Sequence, residues 1–134
     1  DDFGSKIINK INDAEKATNL NQPSLSLNIA LGYGGRQDIV DVTKNITRKV
    51  LSKEINVDDI DENMINKFSS APIDQVDLLI RTGGDKRISN FLLYQIAYTE
   101  ISFCDKFWPD FSKKDFLDCL ENFKKVNRRF GRRI

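Results

Sequence analysis

The stretch VDLLIRTGGDKRISNFLL, residues 76–93, runs from a nearly continuous apolar segment through an arginine, two glycines, a second arginine and a serine into a further oily segment. VDLLI has the character of a strand buried on both faces of a parallel sheet. Gly83 and Gly84 end it, and RISNFLLYQIAYTE, residues 87–100, reads as a helix apolar on almost every side. A strand, a glycine turn and a helix in that order are the building unit of an open α/β sheet. Ligands of such sheets bind in the crevice beyond the carboxyl ends of the strands.

The same order occurs once more. LSLNIALGY, residues 25–33, alternates as a strand with Leu25, Leu27, Ile29 and Leu31 apolar, and Gly34, Gly35 and Arg36 lead into RQDIVDVTKNITRKVLSKE, residues 36–54. That segment keeps a helical period through Ile39, Val42, Ile46 and Val50. Upstream, residues 3–18 form an amphipathic helix on Phe3, Ile7, Ile8 and Ile11, and residues 61–70 form a short helix. SFCDKFWPD, residues 102–110, reads as a third short strand, and residues 113–129 as a last helix with Phe116, Leu120 and Phe123 inward. The expected architecture is α/β, a parallel sheet surrounded by helices, in a single domain over residues 1–134. Three strands make a thin parallel sheet, since such sheets need cover on both faces. With the missing initial methionine, this leads us to expect that an N-terminal part of the fold is missing from this chain.

The bulk composition bounds the chemistry. The chain has 134 residues, a formal net charge of +1, two cysteines and no histidine. Near-neutrality gives no whole-molecule reason for a nucleic-acid partner. Cys104 and Cys119 lack metal-type spacing and read as reduced, buried thiols of a cytoplasmic protein. Without histidine, Ser-His-Asp and Cys-His catalysis and histidine-ligated zinc are excluded within the chain. What remains is carboxylates, guanidinium groups, backbone amides and a hard cation. No run approaches the roughly 20 apolar residues that span a bilayer.

Arg81 leaves the strand end, and Arg87 and Ser89 enter the segment that follows. Two guanidinium forks and a hydroxyl suit a diphosphate, which needs several charge-assisted donors on adjacent oxygens. The alternative is that the arginines pair with Asp77 or Asp85 and the glycines only turn the chain. Arg36 and Asp38, in the first segment, carry the same choice between anion binding and helix capping. Glu100 closes the oily segment; thirteen helical steps of about 1.5 Å would set it about 20 Å from Arg87. A carboxylate so placed would more easily serve a neighbouring subunit, and the apolar excess of residues 91–98 fits burial in a homodimer. Six basic residues crowd positions 124–133. Among them Arg128-Arg129-Phe130-Gly131 reads either as a tail docking acidic groups or as a solvated end.

IRTGGDKRISNFLLYQIAYTEISF, with FWPDF and RRFG after it and LSLNIALGYGGRQDIV before it, closely resembles the C-terminal half of the cis-prenyltransferases, the undecaprenyl diphosphate synthase or isoprenyl transferase family. The resemblance runs from about Leu25 to Gly131. It implies a homodimeric transferase that adds isopentenyl diphosphate in cis to an allylic diphosphate such as farnesyl diphosphate, with Mg2+, giving a long-chain polyprenyl diphosphate. It implies that Arg81, Arg87 and Ser89 hold the isopentenyl diphosphate and that Glu100 helps to place magnesium. Leu25 would line the far end of the product tunnel, and Arg129 and Gly131 would reach the partner subunit's substrate. The lipid product would bring the enzyme to the membrane periphery. Lys86 and Gly32 depart from residues common in the family, His and Asn respectively. The family's His-x-x-x-Met-Asp-Gly-Asn-Gly-Arg signature is not in the chain, so the chain alone is expected to be inactive. Two other readings keep the fold: a non-catalytic partner subunit of a heteromeric enzyme, and a short-chain Z-isoprenyl diphosphate synthase. Retention of Arg81, Arg87 and Ser89 argues against the first.

Overall fold

The computed structural model describes residues 4–127. The chain packs as two compact units, residues 1–33 and residues 34–134. In the first unit, α1 spans Ser5–Thr18 and buries none of its residues. The stretch 25–33, expected as a strand, is not one: it is irregular, and Leu25, Leu27, Ile29 and Leu31 are 55–80% exposed. The alternation that marks a strand is in the sequence, but a strand forms only when its backbone groups find a ladder. Among the described residues the one ladder joins two other segments.

Those segments make the sheet of the second unit. β1, Leu78–Arg81, and β2, Glu100–Phe103, pair in parallel with Leu78 opposite Glu100 and Arg81 opposite Phe103. The pairing opens with Thr99 Oγ1 donating to the Val76 carbonyl at 2.7 Å and the Glu100 N–H to the Asp77 carbonyl at 3.2 Å. β1 is half-buried along its length rather than fully enclosed, and Ile101 and Phe103 of β2 face outward. The α/β arrangement expected from sequence is thus present with two parallel strands in place of three.

α2, Gly35–Leu51, packs against α3, Glu62–Phe68. Its buried stripe is Gly35, Asp38, Val42 and Ile46, rotated from the expected one, and Ile39 is exposed. The rotation follows from Asp38. Its carboxylate accepts from Ser69 Oγ at 2.6 Å and from the Ser70 N–H and Oγ, both at 2.8 Å, so the side chain expected to cap the helix is a buried acceptor instead. Gln95 donates to Ser69 Oγ at 3.0 Å and joins this group. Leu92 and Ile96 complete the core with Val42 and Ile46. A buried charge persists when hydrogen bonds replace its water, as they do here. The cysteines, expected to be buried thiols, are free and half-buried, with Ser102 Oγ 3.3 Å from Cys119 Sγ.

Of residues 87–100, expected as one helix, 87–99 are a chain of turns and Glu100 opens β2. Ser89, Asn90 and Leu92 have φ of 46°, 64° and 46°. A right-handed helix cannot pass through left-handed residues. What is left are isolated bonds, Phe91 N–H to Ile88 O, Ile96 N–H to Leu92 O and Thr99 N–H to Ile96 O. The cause is a competing partner. The first amides of α2 need acceptors, Gly34 has no side chain to supply one, and Asn90 supplies two.

α4, Lys113–Lys124, starts in a reciprocal cap: Ser112 Oγ accepts from the Asp115 N–H, and Asp115 accepts from the Ser112 N–H. Asp115 also takes the Lys106 ammonium at 2.8 Å. That ammonium, with the Ser112 hydroxyl and N–H, holds the Asp115 carboxyl well below the usual carboxylate range. The same contact raises the Lys106 ammonium above its ordinary value. Of the helix's expected inward residues, Leu120 and Phe123 are half-buried, whereas Phe116 is exposed.

Two outcomes follow. A Cβ on Gly35 would lie 2.8 Å from Leu93 Cγ and 3.0 Å from the Leu93 backbone nitrogen. Gly35→Ala is therefore expected to cost about 1–3 kcal/mol by overpacking, read as a lower urea midpoint. A depressed carboxyl contributes stability above its unfolded pKa, near 3.9, and loses it as pH falls further. The raised lysine contributes below its unfolded value, near 10.4, and loses it above. Asp115→Asn should lower the urea midpoint at pH 7, and the gap from the unaltered protein should narrow below about pH 4.

Candidate functional site

Gly83 and Gly84 turn the chain at the carboxyl end of β1 with φ of 93° and 80°, a conformation that favours glycine. Their amides are engaged: Gly83 N–H donates to Lys106 O at 2.7 Å and Gly84 N–H to Cys104 O at 3.0 Å. Cys104 N–H returns to Arg81 O at 2.8 Å. The loop thus lies against residues 104–106, which Lys106 ties to the cap of α4. At the first glycine pair the Gly35 amide is taken as well. Gly35 N–H donates to Asn90 O at 2.7 Å and Arg36 N–H to Asn90 Oδ1 at 2.9 Å. An anion here would be gripped by side chains rather than by these amides, and neither Arg36 nor Asp38 makes an open helix-terminal anion site.

Three side chains are placed to do so. Arg81 Nη1 donates to Ser89 Oγ at 2.8 Å, and Arg81 Nη2 lies 3.4 Å from Asp85 Oδ2. Arg87 Nη2 reaches the same Oδ2 at 2.5 Å. Arg81, Arg87 and Ser89, singled out from sequence, are therefore brought together, and the aspartate pairing that stood as the alternative is present too, through Asp85. Both guanidinium groups converge on one carboxylate oxygen. The two arginines differ in setting: the Arg81 side chain is 22% exposed with a buried Nε that has no hydrogen-bond partner, while Arg87 is 67% exposed. The first is an anchored donor with a spare N–H; the second is a mobile-length arm at the surface.

The remaining predicted residues stand apart. Glu100 opens β2 opposite Leu78, three residues before the position opposite Arg81. That sets it roughly 10 Å from Arg81 along the strands at about 3.3 Å per residue. The helix expected to separate Glu100 from Arg87 is broken, and the parallel ladder sets Glu100 apart from Arg81. Among the described residues no group of three or more His, Cys, Asp or Glu could hold a metal ion. Glu100 offers a hard-cation donor, but this chain's described residues do not complete a magnesium site around it. Leu25 lies exposed in the first unit. Arg129 and Gly131 lie outside the described residues.

Sequence reading did not single out Asn90, Ser69 or Gln95. Gln95 was detectable as the one amide inside the apolar run FLLYQIAY, where a buried polar group needs partners. A small cavity of about 110 Å³ adjoins it, lined by Asp38, Val42, Ile65, Ser69 and Tyr94 among others, away from the arginines. No helix among the described residues is long and apolar enough to cross a membrane.

Comparison with known proteins gives a consistent picture. Residues 1–131 match the family described as undecaprenyl diphosphate synthase. The chain is 47% identical over 123 residues to a tritrans,polycis-undecaprenyl-diphosphate synthase (geranylgeranyl-diphosphate specific) of Pyrococcus horikoshii, covering 91% of this chain and 46% of that protein. It is 45% identical over 130 residues to a ditrans,polycis-undecaprenyl-diphosphate synthase ((2E,6E)-farnesyl-diphosphate specific) of Pasteurella multocida, covering 96% and 54%. Among solved structures, lavandulyl diphosphate synthase from Lavandula x intermedia in complex with dimethylallyl diphosphate aligns with a TM-score of 0.73 and 40% identity, covering 77% of this chain and 45% of that one. A probable undecaprenyl diphosphate synthase from Campylobacter jejuni aligns with a TM-score of 0.80 and 32% identity, covering 96% and 58%. The chain spans about half the length of the curated relatives it matches. By the extent of these matches, the chain belongs to the undecaprenyl diphosphate synthase family of prenyltransferases.

Proposed function

We propose that the protein is a cis-prenyltransferase and that the loop after β1 holds the diphosphate of isopentenyl diphosphate. The observation that carries this reading is the convergence of Arg81 and Arg87 on one Asp85 oxygen, with Ser89 bound to Arg81. A cluster able to share one carboxylate oxygen can share the oxygens of a diphosphate, which carries more charge and more acceptor positions. On binding, the ligand takes over from Asp85.

The chemistry assigned to the whole protein is the addition of isopentenyl diphosphate to an allylic diphosphate such as farnesyl diphosphate, in cis. The isopentenyl double bond attacks the first allylic carbon as its bond to diphosphate breaks, and a proton is lost. The contribution of these residues is orientation: a fixed diphosphate presents the double bond at a constant distance and angle, a large share of rate in two-substrate reactions. A long-chain polyprenyl diphosphate is the product assigned, and membrane contact is assigned to that lipid. We assign the activity to a homodimer in which Glu100 serves the neighbouring subunit's site, where it offers one carboxylate toward Mg2+.

The test uses the full-length protein. Arg87→Ala removes a charge-assisted donor and is expected to raise the KM for isopentenyl diphosphate about tenfold to a hundredfold, with turnover reduced. An isopentenyl KM equal to that of the unaltered enzyme would falsify the clamp.

A further inference from the structure

We infer that Asn90 is a positioning residue for the clamp: it locks the Ser89–Asn90 backbone to the N-terminus of α2 and so aims the Ser89 hydroxyl at Arg81. The inference rests on the diphosphate reading above and adds to it a residue on which the clamp's shape depends.

The observations are independent of any ligand. Ser89 and Asn90 are consecutive left-handed residues, φ 46° and 64°. Asn tolerates this region, but Ser does so only when its surroundings enforce it. The enforcement comes from α2. Asn90 O accepts the Gly35 N–H at 2.7 Å, and Asn90 Oδ1 accepts the Arg36 N–H at 2.9 Å. One residue thus caps a helix 54 positions away with both its carbonyl oxygens. The glycines of the first segment make room for it: a Cβ on Gly34 would sit 2.8 Å from Asn90 Nδ2, and one on Gly35 would meet Leu93. With Asn90 held at both oxygens, the preceding residue has little freedom, and its Oγ stands 2.8 Å from Arg81 Nη1. Release of Asn90 frees the 89–90 pair to return to ordinary backbone angles, which redirects the hydroxyl and slackens the loop that carries Arg87.

Asn90 contacts no substrate in this account, so its effect must appear in affinity for one substrate. The experiment measures steady-state kinetics of the full-length protein with each diphosphate varied in turn, beside thermal melting. Asn90→Ala removes the side-chain acceptor and the left-handed tolerance. It is expected to raise the isopentenyl diphosphate KM about tenfold, leaving the allylic KM and the saturated rate within about twofold. Asn90→Asp keeps the acceptor and the backbone tolerance, and its charge suits the amide end of α2. It is expected to return the isopentenyl KM to within about threefold of the unaltered enzyme. Asn90→Gly, which keeps the backbone angle and loses only the carboxamide, serves if the alanine variant does not fold, with about a fivefold rise expected. A lowered melting temperature with an unchanged isopentenyl KM overturns the inference, as does a rise in both KM values together. Where Arg87→Ala raises the isopentenyl KM and the Asn90 variants do not, only the positioning role falls. Where Arg87→Ala has no effect, the clamp falls and the Asn90 inference with it.

Discussion

The carbonyls of Cys104 and Lys106 hold the amides of Gly83 and Gly84, and this pairing fixes the arginine-bearing loop to the end of the sheet. Parallel pairing makes it unavoidable. Once Arg81 stands opposite Phe103, the residues leaving β1 and β2 emerge side by side at the same edge. Two glycines with positive φ let the first of these chains fold back on the second. Because Lys106 also reaches Asp115, the position of the loop is set partly by the first turn of α4. A helix cap more than twenty residues downstream thereby supports the site.

This arrangement separates the tasks of backbone and side chain. A glycine-rich turn in an α/β fold is often read as a surface on which amides grip an anion. Here Gly83, Gly84 and Gly35 spend their amides inside the protein, on residues 104–106 and on Asn90. In the proposed reading the grip falls to guanidinium and hydroxyl groups, and Asp85 would re-form its pairs with the arginines as the ligand leaves. Its contacts with them are partly exposed, so the exchange carries a small cost either way.

Elements whose pattern is satisfied locally were legible in the sequence. α1, α2, α3 and α4 follow from 3.6-residue periodicity, and β1 follows from its apolar run. What was not legible depends on distant partners. Residues 25–33 carry a strand's alternation with no ladder to join among the described residues. Residues 87–100 carry a helix's composition, yet Asn90 bonds to an amide pair 54 positions upstream and the helix is lost. Asp38 looked like a cap and is instead a buried acceptor for Ser69 and Ser70. At the site, Arg81, Arg87 and Ser89 were readable because they lie within nine residues of one another. Asn90 was not, because nothing in its neighbours announces a bond to α2.

Segment 87–99 shows how an unfavourable backbone can be the stable one. Three left-handed non-glycine residues within four positions would not persist on local terms. The segment is pinned at three places: Asn90 to α2, Gln95 to Ser69 and the Ala71 carbonyl, and Thr99 to Val76. Between these pins Leu92 and Ile96 enter the core against Val42 and Ile46. A continuous helix would gain regular backbone bonds but would have to surrender the Asn90 bonds that cap α2, leaving the Gly35 and Arg36 amides without these acceptors. The tertiary bonds therefore decide the local conformation, and the same conformation sets the Ser89 hydroxyl beside Arg81. Strain in this loop and placement of the clamp are two consequences of one set of hydrogen bonds.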